Sequence, residues 1–381
     1  MSDSHPSICI IGAGITGLVS AWELSRKGFI VQVVEQHSTA GGMLSSMRIG
    51  HEYIELLPHH IRKSDRNLLG LLKELGLQED VSWFDSYWYG RVGRKKLGYL
   101  NSGFHSLISA LTQEITDNNG LIHYGYTAMD ISQTAETEKS APPAFPVPSP
   151  ASGISSRYQI SCVLADCTTV VLEADNVLFT ASCRNFAHIT HDLSILTDYR
   201  DTLMDVTYKA NMCLLLLMKT QFTGCFSRPI SFNAPFQRII EHTNLVGERR
   251  YGGHVVYLSG ALATSHPLWT QSDAEVFSEF FKHLQLLNPA TVRDDIIAWR
   301  LTRTRYAAPS SPPVYNNLLS PLMPGLYVSS LALVEGGSED SVEYRMDACV
   351  SMARQAAKVI DQDRPVSGPR DSEYATIDHI Y

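Results

Sequence analysis

The sequence predicts an α/β fold of two closely packed domains, and three observations predict it. An apolar run, Ile8 to Ile11, leads directly into Gly12-Ala13-Gly14-Ile15-Thr16-Gly17 and a helical pattern, then into a second apolar strand, Phe29 to Val34, that ends on Glu35. Such a βαβ order with glycines at the first turn belongs to a nucleotide-binding parallel sheet. The chain has 381 residues, 44% of them hydrophobic, enough for a sizeable core and a second domain. A β-rich stretch from Thr207 to Leu258, followed by a helical pattern and another strand, supplies a second sheet.

Each residue of the first motif has a physical task. Gly12 makes the tight turn, Gly14 leaves no side chain to block a pyrophosphate, and Gly17 lets helix and strand pack closely. The helix N-terminus presents free N–H groups to the phosphates. Glu35 stands where a carboxylate accepts hydrogen bonds from both hydroxyls of an adenosine ribose, and its charge argues against a 2′-phosphate.

Composition narrows the class. The formal net charge is −8 and no basic patch stands out, so nucleic acid is not an expected partner. The polar start, Met1 to Ser7, runs straight into the first strand and leaves no room for a signal peptide. The longest purely aliphatic run, Leu214 to Met218, is far too short to span a bilayer. Seven scattered cysteines without metal-like spacing read as reduced, packed residues of a cytoplasmic protein.

Gly41-Gly42, just past the second strand, lets backbone approach a bound ligand. Gly12, Gly14, Gly17, Glu35, Gly41 and Gly42 together resemble the FAD-binding signature of the amine oxidase, protoporphyrinogen oxidase and phytoene desaturase superfamily. In that superfamily an arginine commonly follows the glycine pair; here Met43 stands at that cofactor-binding position. The resemblance implies FAD as cofactor and a Rossmann-like FAD-binding domain with an interleaved α+β substrate domain built on a mixed β-sheet. On this pattern residues 1–60, 111–190 and 311–362 form the FAD-binding domain. Residues 61–110 are a substrate or helical region and 191–310 the substrate domain. The Pro/Ser/Ala-dense segment 133–157 reads as a mobile loop and 363–381 as a flexible tail.

Tyr53 to Leu57 reads as a strand, Pro58-His59-His60 as a turn and Asn67 to Leu75 as a helix. The run is similar to one in bacterial flavoproteins resembling protoporphyrinogen oxidase, and UDP-galactopyranose mutases also place a histidine-bearing loop here. The likeness implies His59 or His60 in the active site, as hydrogen-bond donor or proton carrier; the alternative is a histidine that only ties down the turn. No acid or cysteine cluster accompanies them, so no metal is expected. Trp83 to Tyr99 reads as a hairpin whose Arg94-Lys95-Lys96 meets either an anionic substrate or solvent. Phe104 to Ile115 is an amphipathic helix, Leu121 to Tyr124 a strand, and Tyr158 to Cys162 with Thr169 to Leu172 a strand pair. Ala174 to Ser182 resembles the superfamily strand that ends beside the cofactor, which implies a cofactor contact at Thr180.

In the second domain, Pro235 to Asn244 and Tyr251 to Leu258 resemble segments of the same subgroup. Glu241, His242, Asn244 and Tyr251 are candidate substrate-binding residues, the alternative being a satisfied turn network. Asp273 to Leu287 is a helix stopped by Asn288-Pro289. Ile296 to Tyr306 is a strand. Its Arg300 and Arg305 are candidates for gripping an anionic substrate, Arg305 as a catalytic residue, with exposed pairing as the alternative. Tyr306 begins an aromatic-Ala-x-Pro corner and is a substrate-binding candidate. Pro324 to Val328 is a strand. The turn up to Arg345 and the helix Met346 to Ile360 resemble the closing flavin motif, which implies Glu339, Asp340 and Val342 at the cofactor.

The resemblance implies an FAD-dependent oxidoreductase that moves a hydride from a C–N or C–C bond of a small-molecule substrate to flavin N5, the substrate being anionic if the basic residues meet it. The paired histidines and basic residues keep open a redox-neutral mutase or isomerase working with reduced flavin. The absent arginine after Gly42 keeps open an FAD-binding protein without catalysis. An NAD-binding protein is a further alternative, and the oligomeric state is not legible.

Overall fold

Strands and helices alternate from the first residues, and the order explains the layers. The computed structural model describes residues 5–134, 157–195, 197–310, 323–330, 332 and 346–364. Glu339, Asp340 and Val342, the centre of the expected loop 133–157 and the tail beyond Arg364 lie outside the described residues. The βαβ unit is β1 (Ser7–Ile11), α1 (Ile15–Arg26) and β2 (Ile30–Glu35). A hairpin follows, β3 (Ser46–Ile49) and β4 (Glu52–Glu55), then α2 (Arg66–Glu74) and a second hairpin, β5 (Val81–Tyr87) and β6 (Arg94–Leu100). Next come α3 (Phe104–Asp117) and β7 (Leu121–Tyr124), then three strands, β8 (Thr127–Gln133), β9 (Tyr158–Val163) and β10 (Thr169–Ala174). β11 (Asn176–Phe179), α4 (Cys183–Ile189) and α5 (Thr197–Asp205) lead to the long β12 (Tyr208–Met218). The second sheet is completed by β13 (Ser227–Pro229), β14 (Arg238–Glu241), α6 (Thr243–Val246), β15 (His254–Ala261), α7 (Asp273–Leu287) and β16 (Ile296–Pro309). β17 (Leu326–Val328) and α8 (Met346–Gln362) return to the first domain.

The first sheet has the order β17-β11-β1-β2-β7 and is parallel throughout. Its strands are covered on both faces, which is why β1 reads as an unbroken apolar run. Ile8, Ile10, Val31 and Val33 face α1, α2, α3 and α8 in one core. Cys9, Ile11, Val177 and Phe179 face the antiparallel β10-β9-β8 sheet and α4 in another. Residues 61–110 contribute Leu68, Leu71, Leu72, Tyr99 and Leu100 to the first of these cores.

The second sheet has the order β13-β14-β15-β12-β16. A mixed sheet is expected from the sequence; the strands pair antiparallel throughout. The reason is connectivity: β13, β14 and β15 follow one another by direct returns, and antiparallel neighbours need no crossover. Along β12 the even residues Met212, Leu214 and Leu216 pack on α7 through Phe277 and Phe280. The odd residues Cys213, Leu215 and Leu217 face Ile54, Leu57 and Leu97 of the first part of the chain. This period-2 split gives one sheet two cores, and the inner one closes the space beside the His59-His60 turn.

The strands β3 and β8 and the helices α4 and α5 are not anticipated by the sequence reading. β8 and α5 are largely polar and carry weak periodicity, so their conformation comes from pairing and packing. All seven cysteines are free; five are buried and only Cys167 is exposed.

Candidate active site

The glycine loop is built as a cradle. Gly12 sits at φ 107°, a backbone region that strongly favours glycine, and its N–H donates to the Val34 carbonyl at 2.8 Å. A Cβ on Gly17 would lie 1.8 Å from the Gly12 carbonyl oxygen, so helix α1 rests directly on the turn. A Cβ on Gly14 would meet nothing within 4 Å, so the loop is open at that point. Gly14 is also the N-cap of α1 and provides no side-chain cap. The first-turn N–H groups are therefore left for a ligand, and a helix start of this kind favours an anion.

Neighbouring elements complete the cradle. Gly41 N–H donates to the Ala13 carbonyl at 2.8 Å, and Gly14 and Gly41 form a parallel bridge. Thr180, at the end of β11, donates to the Ile11 carbonyl at 2.9 Å and lies 3.2 Å from that of Gly12. The Ser329 hydroxyl, at the end of the adjacent β17, is buried with no hydrogen-bond partner among the described residues. An open glycine, an uncapped helix and an orphaned hydroxyl fit a bound dinucleotide. Glu35 is buried under the loop, with Oε2 accepting from Ala13 N–H at 2.9 Å. Its Oε1 takes both the His37 N–H and the His37 ring nitrogen. Two ribose hydroxyls need a site on each oxygen, so binding both would displace the exposed His37 ring.

The His59-His60 turn joins this cradle to a cavity. His59 Nε2 lies 2.9 Å from the Met43 carbonyl, which fixes the turn on the Gly42–Leu44 3-10 segment. His59, His60, Arg62, Asp65, Leu97 and Asp347 line a cavity of about 290 Å³ that opens at the start of α8. Behind it, His60 Nε2 is 3.2 Å from His242 Nδ1, and His242 Nε2 is 3.3 Å from the Tyr251 hydroxyl. Arg250 lies over the Tyr99 and Tyr251 rings at 5.2 and 5.3 Å, and the Tyr99 hydroxyl donates to Glu55 Oε2 at 2.7 Å. Glu55 Oε1 accepts from Phe104 N–H at 2.8 Å.

Burial sets the protonation of the cluster. It pushes His59 down to about 4, the Met43 bond acting against it, and His60 to about 3, with His59 and Arg62 adding to the effect. His242 is held well below the usual imidazole range by burial, then by His60 and Arg250. All three rings are neutral near pH 7. Glu55 is raised by burial, while the Tyr99 and Phe104 hydrogen bonds and Arg250 oppose the rise.

The structure brings His59, His60, His242 and Tyr251 together from three parts of the chain. It places Glu241 and Asn244 differently. Buried Glu241 accepts from Phe222 N–H, Thr223 N–H and the Thr223 hydroxyl, and Asn244 donates to the Thr223 and Cys225 carbonyls. Both thus hold the turn between β12 and β13. Arg300, Arg305 and Tyr306 are exposed on β16, an edge strand, with Tyr306 packed on Tyr208. Glu55 and Tyr99 are absent from the sequence candidates. A glutamate in a short strand and a tyrosine in a basic hairpin carry no motif, and only burial marks them. Elsewhere Asp130, His191 and Asp192 bring ligand atoms within 4.8 Å of one another near the surface. Among the described residues no helix is long and apolar enough to cross a membrane.

Comparisons with known proteins agree with this construction. Residues 10–75 match the NAD(P)-binding Rossmann-like domain family. A flavin-dependent L-tryptophan oxidase from Lentzea aerocolonigenes is 33% identical over 88 residues, 22% of this chain. The match spans only 19% of that enzyme's own length. A protein from Exiguobacterium sp. 255-15 assigned as a protoporphyrinogen oxidase has a similar structure, with a TM-score of 0.72 at 14% identity, covering 96% of this chain and all of the other. A putrescine oxidase variant redesigned in cofactor binding gives a TM-score of 0.65 at 12% identity, over 94% of this chain and 99% of the other. The Rossmann-like α/β architecture expected from the sequence, and the likeness to flavin oxidases, are borne out.

Proposed function

We propose that this chain, with the fold of the amine oxidase and protoporphyrinogen oxidase superfamily, is an FAD-dependent oxidoreductase acting on a small organic molecule held in the His59-His60 cavity. The observation that carries the reading is the cradle: an open Gly14 over an uncapped helix, tied by the Ala13–Gly41 hydrogen bond to the same loop that anchors His59. Gly12, Gly14, Gly17, Gly41, Gly42, Met43, Thr180 and Glu35 would hold the cofactor. Bound flavin supplies the electron-accepting chemistry, taking a hydride from a C–N or C–C bond. The chain's own residues orient the substrate and manage its proton. His59 fixes the turn through the Met43 carbonyl, and His60, neutral and half-buried, lines the cavity while its Nε2 meets His242. Arg62, Asp65 and Asp347 give the lining mixed charge, which suits an amine- or carboxylate-bearing substrate better than a strongly anionic one.

The test is the visible spectrum of the purified protein, with mass analysis of what denaturation releases, followed by oxygen or dye reduction with amines and amino acids. Flavin bands, released FAD and net substrate oxidation support the reading. A colourless protein that takes up no FAD overturns it, and turnover that appears only after prior reduction of the flavin replaces it with the redox-neutral alternative. His60→Ala should lower turnover by about a hundredfold while keeping the flavin; equal loss of both makes the histidine structural.

A further inference from the structure

The tip of the second hairpin gathers a surface that the oxidoreductase reading does not use. In sequence order the only basic run there is Arg94-Lys95-Lys96. Folding adds to it. Tyr87 pairs with Arg94, which leaves residues 88–93 as the loop, and Trp88 bridges to Ser227 of β13. Arg91, Lys95 and, from β14, Arg238 lie over the Trp88 ring at 5.8, 5.3 and 5.7 Å. Arg94 lies over Tyr87 at 4.5 Å, and Arg228, from β13, over Tyr89 at 4.9 Å. Asp85 stands 3.8 Å from Arg94 and 3.4 Å from Lys96, whereas Arg91, Lys95, Arg228 and Arg238 make no ion pair among the described residues. Neither 86–96 nor 226–240 contains an acidic residue, in a chain whose formal net charge is −8. Such a one-sided excess of cations fits an anionic partner.

The apolar groups decide which anionic partner. Val92, in the loop, is fully exposed, and Tyr87 and Tyr89 on its approach are exposed as well. A projecting aliphatic group, an aromatic collar and surrounding cations match the layers of a membrane interface: acyl boundary, headgroup level and lipid phosphates. A nucleic acid backbone offers nothing apolar to such a tip, and a protein partner needs a hollow to receive it. We propose that this hairpin tip docks the protein on an anionic phospholipid surface. Val92 enters the acyl boundary, and Arg91, Lys95, Arg228 and Arg238 hold lipid phosphates. A recess of about 390 Å³, lined by Trp88, Arg91, Val92, Gly93, Arg94 and Lys95, leaves room among the cations for one headgroup. The tip is fixed before contact, so docking orders little chain. Trp88 Nε1 donates to Ser86 Oγ at 3.0 Å, and Ser86 Oγ to the Lys95 carbonyl at 2.7 Å. Phe226 N–H and Tyr89 N–H tie the loop to β13 at 2.8 and 2.9 Å. Leu97, further along β6, lines the His59-His60 cavity. Three extended residues span about 10 Å, so docking through Arg94 and its neighbours sets the cavity close to the lipid.

The experiment is flotation of the full-length, as-purified protein with two kinds of vesicle. One is phosphatidylcholine alone; the other contains about 30% phosphatidylserine, and both are used at about 0.1 M and about 0.5 M salt. The wild type should float with the anionic vesicles, and only at the lower salt, a comparison that needs no variant. Lipids brominated on the acyl chain should quench its tryptophan fluorescence, and Trp88→Phe should lose that quenching. Arg91→Gln combined with Lys95→Gln should weaken binding about twentyfold, each cation near an anionic surface contributing about fivefold. Val92→Ser should weaken it about tenfold. Lys282→Gln removes an exposed cation from α7, on the other face of the second sheet, and should change nothing. Absence of flotation, equal flotation with both vesicles, or an equal loss in Lys282→Gln overturns the docking. Salt-dependent flotation that survives Val92→Ser and shows no bromine quenching also overturns it, and makes the tip a site for an acidic protein or a nucleic acid. The proposal stands apart from the flavin reading, on which the visible spectrum of the same samples reports separately.

Discussion

At the scale of single residues, the three glycines of the first motif do different work, and substitution can separate it. Gly17→Ala forces a methyl group to within 1.8 Å of a backbone oxygen, so strand and helix must part. It should cost about 1–3 kcal/mol and abolish flavin retention, as measured by urea unfolding and by the flavin-to-protein absorbance ratio. Gly14→Ala meets no protein atom within 4 Å and keeps an ordinary φ of −73°. Its unfolding free energy should change by less than about 0.5 kcal/mol, while flavin retention drops. Equal effects on folding and retention in both variants would mean that Gly14 does not border the ligand. This contrast is legible from sequence in outline, because turn, helix start and strand lie within a few residues of each other. The role of the neighbouring Ser329 hydroxyl is not, since its isolation depends on what surrounds it in the fold.

At the scale of elements, α2 is capped from outside itself. Its N-cap residue, Asp65, turns its carboxylate to Arg62 N–H instead of to the helix. The missing acceptor comes from the first turn of α8: Asp347 takes Leu68 N–H and the Asn67 amide, both at 2.9 Å. Asp347 thus performs the task of an N-cap side chain on the third residue of another helix, and fixes the wall of the cavity. Asp347→Ala should destabilise the protein by about 1 kcal/mol in urea, and Asp347→Asn, which keeps one acceptor, by less; identical losses would argue that charge alone matters. The second hairpin is fixed in a comparable way. Phe226 N–H donates to the Tyr87 carbonyl and Tyr89 N–H to that of Ser227, so Trp88 and Phe226 pack as a pair behind His60. Helix and hairpin boundaries are readable from periodicity to within a residue or two, but a cap supplied from 280 residues away leaves no local trace.

At the scale of the whole molecule, the buried histidines couple folding to pH. Unfolded, they take up protons near their ordinary value of 6.5; folded, His59 does so at about 4 and His60 at about 3. Between these values the unfolded chain binds more protons, so stability falls as pH falls from about 6.5 towards about 4. Glu55, Glu241 and Asp65, raised by burial, act in the opposite sense above the ordinary carboxylate value. His242, His105 and His123 are lowered as well, so five imidazoles oppose three carboxylates. The thermal midpoint should therefore be lower at about pH 5 than at about pH 7; a midpoint independent of pH in this range would mean that the histidines are hydrated in the folded protein.

Local sequence alone specifies the dinucleotide cradle, the parallel sheet around it and the apolar faces of the long helices. These depend on residues close in the chain, where glycine spacing and hydrophobic period act directly on the backbone. It also singled out His59, His60, His242 and Tyr251 by likeness, without saying that they touch. Packing of distant segments alone brings His60 to His242 across 182 residues, Tyr99 to Glu55, and Glu241 and Asn244 onto a turn. Periodicity tells which side of a strand is buried. Which distant buried faces meet, and which polar groups then satisfy each other, is fixed by packing two sheets and a hairpin around a common interior.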